Sequence, residues 1–282
     1  MNPPLVEIEN LRIKFPSRDD GTQYLEAVQG VSFVLGKEKL GIVGESGSGK
    51  SLTGRTLLGI SPDQAVVTAD RLRFAGIDLL KASHQTLRGI RGSRIGMILQ
   101  DPNFSLNPVM TVGRQVVEAV RVDNRRLSRG AAKKIVVDMF TRVQINKPDK
   151  VFSMYPHELS GGMGQRVMIA MMLIREPDLL IADEPTSALD VSVQQKVLEI
   201  MNDQVERRGM GLIFISHDLN VVSRFCDRII VMFKGRVVES LAADRLHAAT
   251  HPYTRGLLNC MPQIGGPLAP LPTLDRNAPW AR

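Results

Sequence analysis

One stretch, Gly44-Glu45-Ser46-Gly47-Ser48-Gly49-Lys50-Ser51, constrains this chain more than any other. It has the spacing G-x-x-x-x-G-K-[ST] at every fixed position. The apolar run Leu40-Gly41-Ile42-Val43 precedes it and reads as a buried parallel strand, while Leu52 to Leu58 can continue as a helix. Strand, glycine loop and helix start together aim backbone N–H groups and the positive helix end at one point, where an anion is the expected guest. Gly44, Gly47 and Gly49 let the backbone turn tightly and approach phosphate oxygens. Lys50 brings a cation to the β and γ phosphates and counts as catalytic, and the Ser51 hydroxyl can ligate Mg²⁺. The nucleotide contact set therefore takes in Gly44, Ser46, Gly47, Ser48, Gly49, Lys50, Ser51 and Leu52.

A chain of 282 residues with 43% apolar content can build one large α/β domain or two small ones. Its apolar runs fall short of the roughly 18 residues that span a bilayer, and the N-terminus lacks a signal-peptide pattern, so a cytosolic location is expected. Cys226 and Cys260 lie far apart without metal-ligand spacing and read as reduced thiols without chemistry. The formal charge of +7 is spread in short clusters, which suits a solvated exterior first and an anionic membrane surface second.

From the N-terminus, Leu5 to Phe15 alternates apolar and polar residues with one slip, as a half-exposed antiparallel strand would. A turn-rich segment, Pro16 to Thr22, separates it from a second strand, Ala27 to Leu35. Either Phe15 or Tyr24 could stack on an adenine ring, with Phe15 preferred. A further strand pair is expected around Arg71 to Phe74, and Ser93 to Leu99 forms a strand that runs into Gln100-Asp101-Pro102. That places the Gln100 amide at a sheet edge near the expected Mg²⁺. The stretch 101–160 reads as a helical insertion, with amphipathic helices at Val112 to Val122 and Ala131 to Val143.

Leu159-Ser160-Gly161-Gly162 opens a helix that reaches about Ile174. Ser160 suits an N-cap, and the two glycines leave amides free for a second anion. Met163, Met168, Met171 and Met172 are read as a packing face. Leu179 to Ala182 is a buried strand with Asp183-Glu184 at its carboxyl end, where ligands of open α/β sheets lie. Paired acids there are costly to bury without a cation, so Asp183 is assigned to Mg²⁺ and Glu184 to polarising water. Ser187-Ala188-Leu189-Asp190 leads into a helix with Val193, Val197, Ile200, Met201 and Val205 on one face. The strand Leu212 to Ile215 ends in Ser216-His217-Asp218, and Ile229 to Phe233 with Arg236 to Val238 forms a hairpin turned at Lys234-Gly235. Beyond about Ser240 come a helix, His251-Pro252-Tyr253 and a tail from Pro262 rich in Pro and Gly.

This ordered set resembles the nucleotide-binding subunit of ATP-binding cassette transporters over about residues 5 to 260. Gln100-Asp101-Pro102 with Ser105-Leu106-Asn107-Pro108, Tyr155 to Ser160, and His251 to Leu258 look like the dipeptide, oligopeptide and nickel importer branch. The resemblance implies an α/β fold: a P-loop NTPase core of mainly parallel sheet flanked by helices, an N-terminal antiparallel β subdomain, and an inserted α-helical subdomain. It places an ATPase domain at 1–240 and a C-terminal extension at 241–282. It implies ATP and Mg²⁺ as cofactors, Glu184 as general base, Gln100 beside Mg²⁺, and His217 at the γ phosphate. Two subunits, identical or related, would face head to tail, with Asp190 organising the interface. Each would offer the Ser160-Gly161-Gly162 amides to the nucleotide held by the other's Lys50 loop. Two transmembrane permease subunits and, through them, a periplasmic or extracellular binding protein complete the expected assembly. That assembly puts the chain at the cytoplasmic face of the plasma membrane.

Met163 stands where the broad family has Gln, and Gly164 where a larger polar residue is usual. A glycine early in that helix costs about 0.5–1 kcal/mol relative to Ala. The tail lacks the cysteine group of longer peptide-importer subunits, which removes a case for an iron–sulfur cluster and favours the shorter nickel, dipeptide or opine relatives. The alternative is a soluble cassette ATPase acting on DNA or ribosomes. Only 110 positions separate Lys50 from Ser160 without a sustained heptad, and a single cassette is present, so nucleic acid is not the expected partner. A degenerate, binding-only subunit is opposed by intact Lys50, Asp183, Glu184 and His217.

Overall fold

The slip in the first strand's alternation is a β-bulge. In the computed structural model, which describes residues 3–17, 23–100, 105–122, 124–187 and 189–260, strand β1 (Val6–Pro16) buries Val6, Ile8, Leu11 and Ile13. Its register against β2 (Tyr24–Leu35) shifts between Ile8 and Leu11. Asn10 takes a left-handed φ of 50° there, and its side chain accepts from Arg12 Nε at 3.2 Å and donates to Asp70 Oδ2 at 3.1 Å. An extra residue absorbed this way keeps every apolar side chain on the core face.

Two units make up the chain: residues up to Ala82 with those from Ile213 onward, and Ser83–Leu212. In the first, β1 pairs antiparallel with β2, with β4 (Val66–Thr68) and with β5 (Arg71–Phe74), and β5 pairs with β6 (Ile77–Asp78). A second layer holds β3 (Lys39–Val43) parallel to β10 (Arg228–Phe233), which pairs antiparallel with β11 (Arg236–Ala242). Helix α1 (Lys50–Thr56) follows β3 through the glycine loop. Helix α8 (Leu219–Phe225) covers β3 closely: a Cβ on Gly41 would lie 2.3 Å from Val222 Cγ1. Buried Cys226 lies against the same spot, and burial pushes its thiol pKa up, which keeps it an inert apolar filler. A 3₁₀ segment (Ala243–Ala248) and helix α9 (Pro252–Asn259) end the described chain, so β11 runs through residue 240, where the expected domain boundary lies.

The second unit holds the parallel pair β7 (Ile95–Ile98) and β8 (Leu179–Asp183), each buried along its whole length. Strand β9 (Gly211–Ile215) straddles the division between the units. Parallel strands covered on both faces require such unbroken apolar runs. Helices α2 (His84–Ile90), α3 (Val112–Arg121), α4 (Arg129–Arg142) and α5 (Pro148–Phe152) precede α6 (Gly161–Leu173), and α7 (Val191–Arg208) follows β8. Val112, Val116, Ala132, Val136, Phe140 and Val151 form the core of this helical part. Gly113 is small for a packing reason, since a Cβ there would sit 2.3 Å from the Phe152 ring.

Three expectations need correction. The methionines of α6 do not form one packing face: Met168 is buried, whereas Met163, Met171 and Met172 are half-exposed and the interior side is completed by Val167, Ile169, Ala170 and Leu173. Val193 and Ile200 of α7 are likewise half-exposed, and Val197, Met201 and Val205 supply its buried stripe. The β10–β11 hairpin extends four residues past Val238, because backbone pairing with β10 continues beneath an outward polar face. Asp101, Pro102, Ala188 and the tail from Pro262 lie outside the described residues.

Candidate nucleotide-binding site

The glycine loop joins β3 to α1 and curls around the ammonium group of Lys50. Lys50 Nζ donates to Gly44 O and Glu45 O at 2.7 Å each and to Ser48 Oγ at 3.3 Å, and the side chain is 7% exposed. Backbone shape here depends on glycine at two points. Gly44 has φ +148° with Met232 O only 2.1 Å from where a Cβ would stand, and Gly49, the helix N-cap, has φ +95° with Ala27 O at 2.8 Å. A Gly44→Ala chain must therefore move backbone, not a side-chain tip. We expect it to lose about 1–3 kcal/mol of stability, read as a fall in thermal unfolding midpoint against wild type.

Ser46 and Gly47 form the exposed rim of the loop, and a Cβ on Gly47 would meet nothing within 4 Å. Together with Glu45 and Ser48 they line a cavity of 280 Å³ that is closed on another side by Phe233 and Lys234 of the β10–β11 turn. The turn is fastened to the loop, as Gly235 N–H donates to Ser48 O at 3.2 Å. Phe233 and Lys234 were not legible as loop neighbours from sequence, because the hairpin turn looks like any Lys-Gly pair. Open backbone, a buried cation beneath it and a hydroxyl at Ser51 fit a polyphosphate.

On the same unit His217 is exposed just beyond β9, whose end is tied down by Ser216 N–H donating to Ile42 O at 3.2 Å. Asp218 accepts from the N–H groups of Asn220 and Val221 and so caps α8. Phe15 is half-buried opposite Leu25, and Tyr24 is 53% exposed opposite Pro16.

In the second unit Asp183 ends β8 and is 3% exposed, and its carboxylate is an oxygen donor of the kind that Mg²⁺ takes. Glu184 follows with a left-handed φ of 51°, an uncommon backbone state for a non-glycine residue. Its carbonyl oxygen is held by Ser187 Oγ at 3.1 Å and by Gln165 Nε2 at 3.3 Å. Gln165 is fully buried and also donates to Pro185 O at 2.6 Å. This glutamine holds the backbone of the turn at Glu184, and its only signal in the sequence is an amide in the buried row of α6, beside Val167 and Met168. Gln100 is exposed just past the end of β7. Farther along, the Gln115 side chain exchanges hydrogen bonds with Asn107 N and O at 2.8 and 2.9 Å.

Ser160 caps α6 by accepting from Met163 N–H at 3.4 Å, and Gly161 is exposed while Gly162 is half-exposed. Behind the glycines Arg166 donates to Gly162 O at 3.3 Å and to Gln144 O. Burial lowers the Arg166 pKa and the nearby Asp190 charge counters it. Asp190 caps α7, and its carboxyl is held below the usual range by the Ser192 hydroxyl and the Val193 N–H. Each unit thus carries its own share of the motif set.

Residues 28–187, more than half of the chain, match the family model for the ABC transporter. The chain belongs to the ABC transporter family. Among the relatives of this ABC chain is a probable peptide ABC transporter ATP-binding protein of Sinorhizobium fredii, 46% identical over 92% of this chain and 77% of that protein. The dipeptide transport ATP-binding protein of Bacillus subtilis is 43% identical over 98% of this chain and 82% of its own. Among solved structures, the ATP-binding cassette MJ0796 in a dimeric post-hydrolysis state with ADP and Pi aligns with a TM-score of 0.73 at 26% identity, covering 84% of this chain and 98% of that one. The ABC cassette is thus a P-loop NTPase of α/β class with the antiparallel β part described above, and its catalytic class is ATPase.

Proposed function

We propose that this ABC ATPase drives uptake of a peptide-class solute through a membrane complex. The observation that carries the reading is the buried Lys50 ammonium anchored under an open glycine loop, in a chain whose relatives are named as peptide and dipeptide transport subunits. Those relatives displace the nucleic-acid alternative, and they favour a peptide over nickel as the cargo class.

In this reading ATP sits on the Gly44–Ser51 loop with its phosphates toward Lys50. Ser51, Gln100 and Asp183 would hold Mg²⁺, which would supply charge neutralisation for the phosphates. Glu184 takes a proton from the attacking water, His217 meets the γ phosphate, and Phe15 stacks on the adenine. Ser46 and Gly47 leave the rim of the 280 Å³ loop cavity exposed. That open rim supports a shared site, in which the Ser160-Gly161-Gly162 amides and Asp190 come from a second ATPase subunit, identical or related.

A groove of 1,020 Å³ in the helical part supports the membrane partner. Arg88, Arg114, Arg121, Arg125, Arg129 and Lys133 surround the apolar Val117, Val122 and Phe152, with Glu118 as the one acid among the described lining residues. Such a surface suits an amphipathic, acidic segment of a permease at the cytoplasmic membrane face. Among the described residues no helix is long and apolar enough to cross a membrane.

The test is co-purification with candidate permeases from membranes, together with MgATP binding and phosphate release by the complex. Reversing two charges, Arg121→Glu with Arg125→Glu, is expected to reduce recovery of the permeases at least tenfold at low salt. Recovery at the wild-type level would remove the groove as the docking surface.

A further inference from the structure

We propose that Tyr253 is a positioning residue for the phosphate loop, fixing the Glu45 backbone from behind and so setting affinity for a nucleoside triphosphate. The proposal rests on the nucleotide reading above. Tyr253 is fully buried, and its hydroxyl accepts a hydrogen bond from Glu45 N–H at 2.9 Å. The loop's own neighbours explain why that bond matters. Gly44 O and Glu45 O are the two carbonyls that hold Lys50 Nζ at 2.7 Å; Gly44 O belongs to the same peptide as the N–H that Tyr253 receives, and Glu45 O to the next one. A shift of that peptide moves the lysine's seat.

The tyrosine itself is fixed from three sides. Its ring packs on Phe233 with centroids 4.4 Å apart, and Phe233 lines the same loop cavity. His251 Nδ1 accepts from Tyr253 N–H at 3.2 Å, capping α9, with Pro252 at the first helical position. The segment before it is held by Glu239 of β11, whose Oε1 accepts from Thr250 N–H at 2.7 Å, from Thr250 Oγ1 at 3.1 Å and from His251 N–H at 3.3 Å. A continuous set of hydrogen bonds therefore leads from β11 through the start of α9 into the phosphate loop. The His251-Pro252-Tyr253 segment, which sequence comparison offers only as a branch marker, acquires a physical task.

Tyr253→Phe keeps the ring and removes the hydroxyl, and with it the acceptor of the Glu45 N–H. A hydrogen bond of this kind contributes about 1 kcal/mol net, so the Kd and KM for MgATP are expected to rise roughly 5- to 10-fold while kcat at saturation stays within twofold. Val136→Ala, fully buried in α4 and not bonded to the loop, should leave both constants unchanged even where it lowers thermal stability. Wild-type affinity in Tyr253→Phe, or a fall in kcat alone, overturns the proposal while leaving ATP binding by wild type intact. Should the variant fail to fold, amide hydrogen exchange on the wild-type chain decides. Glu45 N–H is expected to exchange far more slowly than Ser46 and Gly47 N–H without nucleotide, and equal rates overturn the proposal. Absence of MgATP binding by wild type is a different result, which removes the nucleotide reading and this inference with it.

Discussion

Glu184→Gln is expected to lower steady-state ATP turnover roughly 10²–10⁴-fold while leaving MgATP binding close to wild type. That range is what a positioned general base contributes to a proton-transfer step, equal to about 3–5 kcal/mol of barrier. The substitution is isosteric, so the left-handed turn at φ 51° and the bonds to its carbonyl from Gln165 and Ser187 are retained. Only proton acceptance is lost. A triphosphate that binds but is not cleaved should hold two subunits together, so a dimer is expected on size exclusion with excess MgATP and a monomer without it. Phosphate release in single-turnover conditions is the direct measurement. A rate within threefold of wild type would exclude Glu184 as the base and return attention to His217.

Lys50→Ala is expected to weaken MgATP binding on the order of 10²-fold, equivalent to about 2.7 kcal/mol. Truncating one partner of a desolvated charge pair costs about 2–5 kcal/mol, and in the proposed complex the cation would face a polyanion. The same ammonium also satisfies Gly44 O, Glu45 O and Ser48 Oγ. Its removal frees the loop carbonyls to seek other donors, so a further part of the loss comes from a looser loop. Lys50→Arg should restore little, since a planar fork does not match the compact seat that a tetrahedral ammonium fills. Isothermal titration with MgATP separates the two variants, and undiminished affinity in Lys50→Ala would contradict the phosphate assignment of the loop.

Much of this was readable in the sequence because burial writes itself into apolar runs. β3, β8 and β9 lie within or next to Leu40–Val43, Leu179–Ala182 and Leu212–Ile215, and the slip in β1 marks its bulge. Helix α2 was not legible: seven residues with a glycine near the end and only Ile90 buried leave no period to count. The early start of β2 at Tyr24 was hidden for the opposite reason, since Tyr24 and Leu25 are paired yet exposed. At the site, residues that meet a phosphate are fixed by chemical type and stand out. Those that act from behind, Gln165 and Tyr253, are ordinary interior side chains whose task depends on a partner far away in the chain.

Gln165 has one more consequence. Its amide ties α6 to Glu184 O and Pro185 O, so the helix end proposed to face a neighbouring subunit and the turn proposed to activate water are held as one lever. In the proposed dimer, a tug on Gly161 and Gly162 by the opposite subunit's nucleotide reaches the carboxylate that works on the subunit's own. Two catalytic events on opposite sides of the assembly would then share a single clock.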